Sequence, residues 1–279
     1  MEIENLSDDD TSDDDSTKRI NRSKCAEDNN KNGNCIYSGG KLTEQEKKAV
    51  IHVSVADNVT EISCSAFYKC TALISVDISS SSTLSTIQES AFEGCVSLTS
   101  ITFAPSVEII ESYAFVGCKQ LSIVIFPNDS KCEIIQKYTF KDCISLTSIV
   151  LPVLLKEICD EAFRGCSSLQ EIKLPNTVTY IREDAFYECE SLQSIILPPT
   201  SLKEIGRCAF AGCTSLRSIE LPNSLFTLHI SIFWGCKCLE EIRLPTSLKE
   251  IPYGTFHGCL SLREIISPNT VTHMAIVHF

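Results

Sequence analysis

The residues of this 279-residue chain best equipped for chemistry are its sixteen cysteines and five histidines. A thiolate can act as a nucleophile or metal ligand, and two thiols can form a bridge, so spacing must decide among these uses. Nine of the cysteines, Cys70, Cys95, Cys118, Cys143, Cys166, Cys189, Cys213, Cys236 and Cys259, follow one another at 25, 23, 25, 23, 23, 24, 23 and 23 residues. Zinc sites need closer pairs in matched sets. No Cys-x-x-Cys occurs, and in "CKC" Cys236 and Cys238 are two residues apart. His52, His229, His257, His273 and His278 are scattered, without a recurring acid or nucleophile beside them. Glycine-rich phosphate loops, Gly-x-Ser-x-Gly and His-Glu-x-x-His are absent from the sequence. The expectation is a protein with no metal, no cofactor and no catalytic residue, and therefore not an enzyme.

The neighbours of the nine cysteines carry more information. Phenylalanine stands three residues before each, from Phe67 to Phe256, and leucine three residues after each, from Leu73 to Leu262. Five residues before each Phe is Ile or Leu, and "FRGCSSLQEIKL" at 163–174 returns as "FAGCTSLRSIEL" at 210–221. A period of 20–29 residues around Leu-x-x-Leu-x-Leu marks a leucine-rich repeat solenoid, in which no unit buries its own apolar face and stacked units share one core. Strands are expected at 50–55, 73–78, 98–103, 121–126, 146–151, 169–174, 192–197, 216–221, 239–244 and 262–267. They would form one parallel sheet on the concave side of a right-handed solenoid. Prolines such as Pro127, Pro152 and Pro175 end the strands because they lack the ladder N–H. Segments such as "DEAFRGC" predict short helical or 3-10 turns on the convex side, closed by glycine.

"IREDAFYECESLQSIILP" and its siblings resemble the BspA-like surface antigen family, the Treponema-type leucine-rich repeat proteins, over roughly residues 50–279. The resemblance implies protein-binding or adhesive modules, often surface-exposed, with no catalytic residue to carry over.

Nine thiols at one repeat position are expected to stack as a structural spine, acting as small hydrophobes with a weak donor for turn carbonyls. Rung spacing would permit disulfides, but the odd count and the fixed position favour packing. Cys25, Cys35, Cys64, Cys132, Cys159, Cys208 and Cys238 lie off the spine, and Cys25 and Cys35 are expected to be exposed. Trp234, on a convex turn, is read as a locally packed ring in preference to an exposed anchor.

Residues 1–41 read as an acidic disordered tail. Of the net charge of −12, residues 1–17 supply eight acids and no base. Ser7, Thr11 and Ser12 each have an acid three residues on, a pattern suited to phosphorylation, although a purely solubilising tail is the simpler reading. Residues 42–49 predict a capping helix, with Thr43 and Glu46 as a capping box, and 50–279 the repeats. No basic footprint for nucleic acid, no apolar run for a membrane span and no signal-like N-terminus is visible. The sequence alone therefore points to the cytoplasm, and the resemblance to the cell surface.

Solenoids bind through variable strand positions, here two and four residues after each repeat leucine. Ile123, Ile125 and Val150 are expected to form an apolar patch with Ser148 beside it, continuing through Glu171, Lys173, Ser194 and Ile196 to Glu220 and Arg243. The expected partner is a protein.

Overall fold

The computed structural model describes residues 33–266 and 269–274. Each repeat makes one rung of a parallel-strand solenoid, and each rung has three sides. The first side carries the longer strands. Asn34–Tyr37, His52–Val55, Ser75–Ile78, Ser100–Thr102, Ile123–Ile125 and Ser148–Val150 form one six-stranded parallel sheet. Glu171–Lys173 and Ser194–Ile196 form a pair, and Ser218–Glu220, Glu241–Arg243 and Glu264–Ile266 a set of three. Alternation explains the faces: Val124, Ile172, Ile195, Ile219 and Ile242 point inward and are buried, while their neighbours point out.

The second side comes from the Val/Leu-x-x-Ile segment, as two-residue parallel strands. Glu61–Ile62, Thr86–Ile87 and Ile109–Ile110 form one ladder, and Ile134–Ile135 to Glu204–Ile205 a second of four strands. Glu250–Ile251 pairs with His273–Met274.

The third side differs from the expectation of helical or 3-10 turns. Among the described residues no helix forms there; four-residue turns such as Cys70 N–H to the Phe67 carbonyl follow one another singly. The reason is backbone handedness. Two residues before each Phe, and two after it, φ is positive, as at Glu161 (53°) and Gly165 (71°), which a right-handed helix cannot contain. In exchange, the amides turn toward the next rung. Glu161, Phe163 and Gly165 donate to the carbonyls of Glu183, Ala185 and Tyr187 at 2.8–2.9 Å, and the same three bonds join every successive pair of Phe rungs from Phe67 to Phe256.

Inside, the phenylalanines stack. Successive ring centroids from Phe67 to Phe256 lie 5.0 to 6.0 Å apart with nearly parallel planes, each pair adding about 0.5–1.5 kcal/mol beyond burial.

The N-terminal end corrects the expected boundary of the tail. Asn34–Tyr37 is a strand, parallel to His52–Val55. Tyr37 closes the ring column 5.1 Å from Phe67. Its hydroxyl donates to the Gly40 carbonyl at 2.9 Å and accepts the Ser63 amide at 3.1 Å. The folded unit thus begins before residue 41, because alternation in "NCIY" suits an edge strand that the polar composition of the tail hides. The expected helix spans Glu44–Ala49, with Thr43 and Glu46 forming the capping box. It links the two first strands, and the strand itself covers the first rung. Residues 1–32, with Ser7, Thr11, Ser12 and Cys25, lie outside the described residues.

Candidate interaction face

The long-strand side brings the predicted residues together. Ile123 stands beside Ser148 in ladder register, and Ile125 beside Val150, with Ser100 and Thr102 on the preceding strand. Ile123 and Val150 are 43% and 46% exposed, and Ile125 is half-buried. Adjacent exposed aliphatic side chains rimmed by hydroxyls make one apolar patch across two strands. Glu171 then pairs with Ser194 and Lys173 with Ile196, all four exposed. Glu220 lies beside Arg243. Neither of these two makes an ion pair among the described residues, although Arg217 reaches Glu240 at 3.7 Å nearby.

This face is interrupted twice. The amides of Phe103, Phe126, Leu174, Leu221 and Leu244 each donate to the next rung at 2.9–3.2 Å. The equivalent bonds from Leu151 and Leu197 are not formed, and the sheet divides at those rungs. The first division separates Val150 from Lys173, and there the two-residue ladder still joins Glu157–Ile158 to Tyr180–Ile181. The second separates Ile196 from Glu220. The two-residue ladder also ends there, at Glu204–Ile205. Backbone bonds cross this division only on the turn side and on the approach to the strand, where Ser215 and Arg217 donate to Glu190 and Gln193 at 3.1 and 3.5 Å. A groove of about 590 Å³ runs along the solenoid axis at this second division, lined by Ile196, Leu197, Glu220, Arg243, Thr246 and Ile266 among others. Sequence reasoning ended the expected contact at Arg243; Ile266, at the same variable position after Leu262, continues the column of Ile196, Glu220 and Arg243 on the next strand.

The nine spine cysteines are buried in line. From Cys95 to Cys259, each Sγ donates to the carbonyl of the Phe one rung earlier, at 3.1–3.3 Å. Burial pushes the Cys70 and Cys259 thiols up to about 12. It raises the other seven as well, so the spine thiols stay protonated and serve packing. Cys238 is exposed and Cys64 half-buried. Cys35 departs from expectation: it is 5% exposed on the inner side of its strand and is disulfide-bonded. Trp234 also departs. The residue is 48% exposed, with its ring 6.0 Å from the His257 ring on the neighbouring turn.

No cluster of three or more metal-ligating side chains occurs among the described residues. His52 contacts Ser75 at 2.8 Å and His229 contacts Glu204 at 3.4 Å, both on the surface. No helix among the described residues is long and apolar enough to cross a membrane.

The comparisons agree with this geometry. The BspA type leucine rich repeat region, in six copies, matches residues 45–169 and 156–279. A leucine-rich repeat protein from Bacteroides ovatus is similar at 28% identity and a TM-score of 0.54, over 88% of this chain and 75% of that one. A leucine-rich repeat protein of T. pallidum is 30% identical with a TM-score of 0.57, over 66% of this chain and 83% of that one. A leucine-rich cell surface protein from Faecalibacterium prausnitzii is 26% identical, over 82% of each chain, with a TM-score of 0.41. No curated protein matches. Repeat period, stacked Phe and Cys columns and family match lead to one conclusion: the chain belongs to the BspA-type leucine-rich repeat family.

Proposed function

We propose that this protein is a non-enzymatic interaction module that holds a protein partner on its long-strand face. The observation that carries the reading is the patch of Ile123, Ile125 and Val150, on two strands in ladder register and rimmed by hydroxyls. The mechanism is shape and surface contact, with no bond made or broken. Burying such a patch removes apolar area from water at about 25 cal/mol per Å², and the polar rim sets register and selectivity. Replacing Ile125 and Val150 together by Asp is expected to abolish partner capture while the circular-dichroism spectrum stays the same. Unchanged capture by that variant removes the reading.

Membership in the BspA-type family supports an adhesive or surface-antigen role, and the bonded Cys35 suits an oxidising compartment. Fourteen free cysteines among the described residues support a second reading, an intracellular scaffold in a reducing compartment, with Ser7, Thr11 and Ser12 as phosphorylation sites of a regulatory tail. Cross-linking with an impermeant reagent on intact cells, run beside the same reaction in lysate, separates the two. Capture on intact cells supports the surface role, and capture in lysate alone supports the scaffold.

A further inference from the structure

We propose that the groove at the second division of the long-strand sheet binds a short extended peptide. The peptide carries two aliphatic side chains four residues apart, with asparagine or glutamine midway between them. The inference rests on the long-strand face being the binding face; it adds which ligand that face takes and where.

Three features of the groove select this ligand. The first is its charge pair. Glu220 and Arg243 sit side by side on neighbouring strands, and neither is neutralised by another described side chain. A primary amide offers an N–H donor and a carbonyl acceptor on one planar group, so it can donate to the carboxylate and accept from the guanidinium together. A single charge on the ligand would satisfy one of them and repel the other.

The second feature is the flanking pair of isoleucines. Ile196 is 58% exposed on one side of the charge pair, and Ile266 stands beside Arg243 on the other. Paired strands lie about 4.7–4.9 Å apart, so three steps from Ile196 to Ile266, the first of them unpaired, span at least about 14 Å. An extended peptide rises about 3.2–3.4 Å per residue, so four residues cover about 13 Å. Side chains alternate along it, and residues i, i+2 and i+4 therefore face Ile196, the charge pair and Ile266 in turn.

The third feature is the backbone at the division. The Leu197 amide and the Glu220 carbonyl would bond to each other if the sheet continued, and here they do not. Where the peptide crosses the division, its own backbone offers an acceptor and a donor to these two groups. Beside them the groove wall is held by Asn223, whose Oδ1 accepts from the Thr246 amide at 2.9 Å and from its hydroxyl at 3.1 Å. Sugar hydroxyls could also meet Glu220 and Arg243, but they leave both isoleucines without an apolar partner.

The test presents the full-length protein to a displayed library of random pentapeptides. Enrichment of aliphatic-x-Asn/Gln-x-aliphatic is expected. A labelled peptide of that pattern should bind saturably, and Glu220→Ala and Arg243→Ala should each weaken it by roughly tenfold or more, the loss of a hydrogen bond to a charged group. Both positions are exposed, and circular dichroism checks that the fold is kept. Lys237→Ala, exposed on the turn side, should leave peptide affinity the same. Absence of that enrichment overturns the proposal, as does binding indifferent to both groove variants. Peptide binding lost only in the Ile125/Val150 variant also overturns it, yet keeps the long-strand face as the binding face. Binding of a glycan in the same groove, lost in Arg243→Ala, with no peptide enriched, overturns the peptide assignment.

Discussion

On the turn side, each rung from Phe67 to Phe233 gives three backbone N–H groups to the rung that follows, without a gap. On the long-strand side the ladder stops twice, after Ser148–Val150 and after Ser194–Ile196. Continuity is thus strongest where the backbone is least regular, at residues with positive φ. A left-handed residue costs about 1–2 kcal/mol, and eleven non-glycine residues among those described adopt that conformation, all two positions before or after a repeat Phe. What holds them is the rung-to-rung bonding together with the buried Phe and Cys columns. The difference teaches that the two sides have separate duties: the turn side keeps the stack, which leaves the strand side free to vary and to divide.

The largest expected effect on that division of labour comes from pH. Burial raises the spine thiols from their ordinary value of 9.0, to about 12 for Cys70 and Cys259. Between those values the unfolded chain loses thiol protons that the folded chain keeps, so stability is fully present below pH 9 and falls as pH rises toward 12. Each buried thiol contributes a slope of about 1.4 kcal/mol per pH unit. Chemical denaturation followed from about pH 7 to about pH 11 should show the midpoint falling steeply above the ordinary thiol value, and replacing spine cysteines by alanine should flatten that fall.

Phe163→Ala, in the middle of the ring column, comes next. Its side chain is fully buried between Phe140 and Phe186, and its removal should cost about 3–5 kcal/mol in urea denaturation. A similar loss from Val150→Ala would reverse the assigned duties. Glycine variants then test the strained turns. Gly117 has φ +67° with open space where a side-chain methyl would stand, whereas at Gly165 a Cβ would lie 2.5 Å from Asp142 Oδ1. Gly117→Ala should cost about 1 kcal/mol from strain alone, and Gly165→Ala more, because Asp142 must also move. Equal costs would show that the turn side yields more readily than its bonding suggests. The smallest effect is local. The Leu151 and Leu197 amides should exchange with solvent about fivefold faster than those of Phe126 and Leu174, the equivalent of one hydrogen bond of about 1 kcal/mol. Matched exchange rates would mean that the sheet closes in solution.

The period, the strands and the buried columns were legible in the sequence because each is a repeated choice. Phe, Cys and Leu return at fixed distances, and a stack of rungs in register buries them all. The patch at Ile123, Ile125 and Val150 was legible for the same reason, since alternation places those residues outside. The left-handed turns were not. Glu161, Asp184 and Ser231 have no residue preference for positive φ in common, and the conformation comes from the neighbouring rung. The strand at Asn34–Tyr37 was hidden by the polar residues around it. The two divisions of the sheet were not read from the sequence: Lys173 beside Ile196 is laddered and Ile196 beside Glu220 is not, and the mark at the second is slight, one 24-residue spacing and a second proline, Pro199.

Because every strand pairs only with those of the rungs on either side, tension applied along the axis is borne in series. No rung shares its load with a distant one. Stretched from its ends, the chain should lengthen one rung at a time, each release freeing 23 to 25 residues, or about 80 Å of slack at about 3.4 Å per residue. The junction between Ile196 and Glu220, crossed by neither strand ladder, is where the first release should fall. Below that force the solenoid is a stiff rod, and above it a shock absorber with a built-in order of failure.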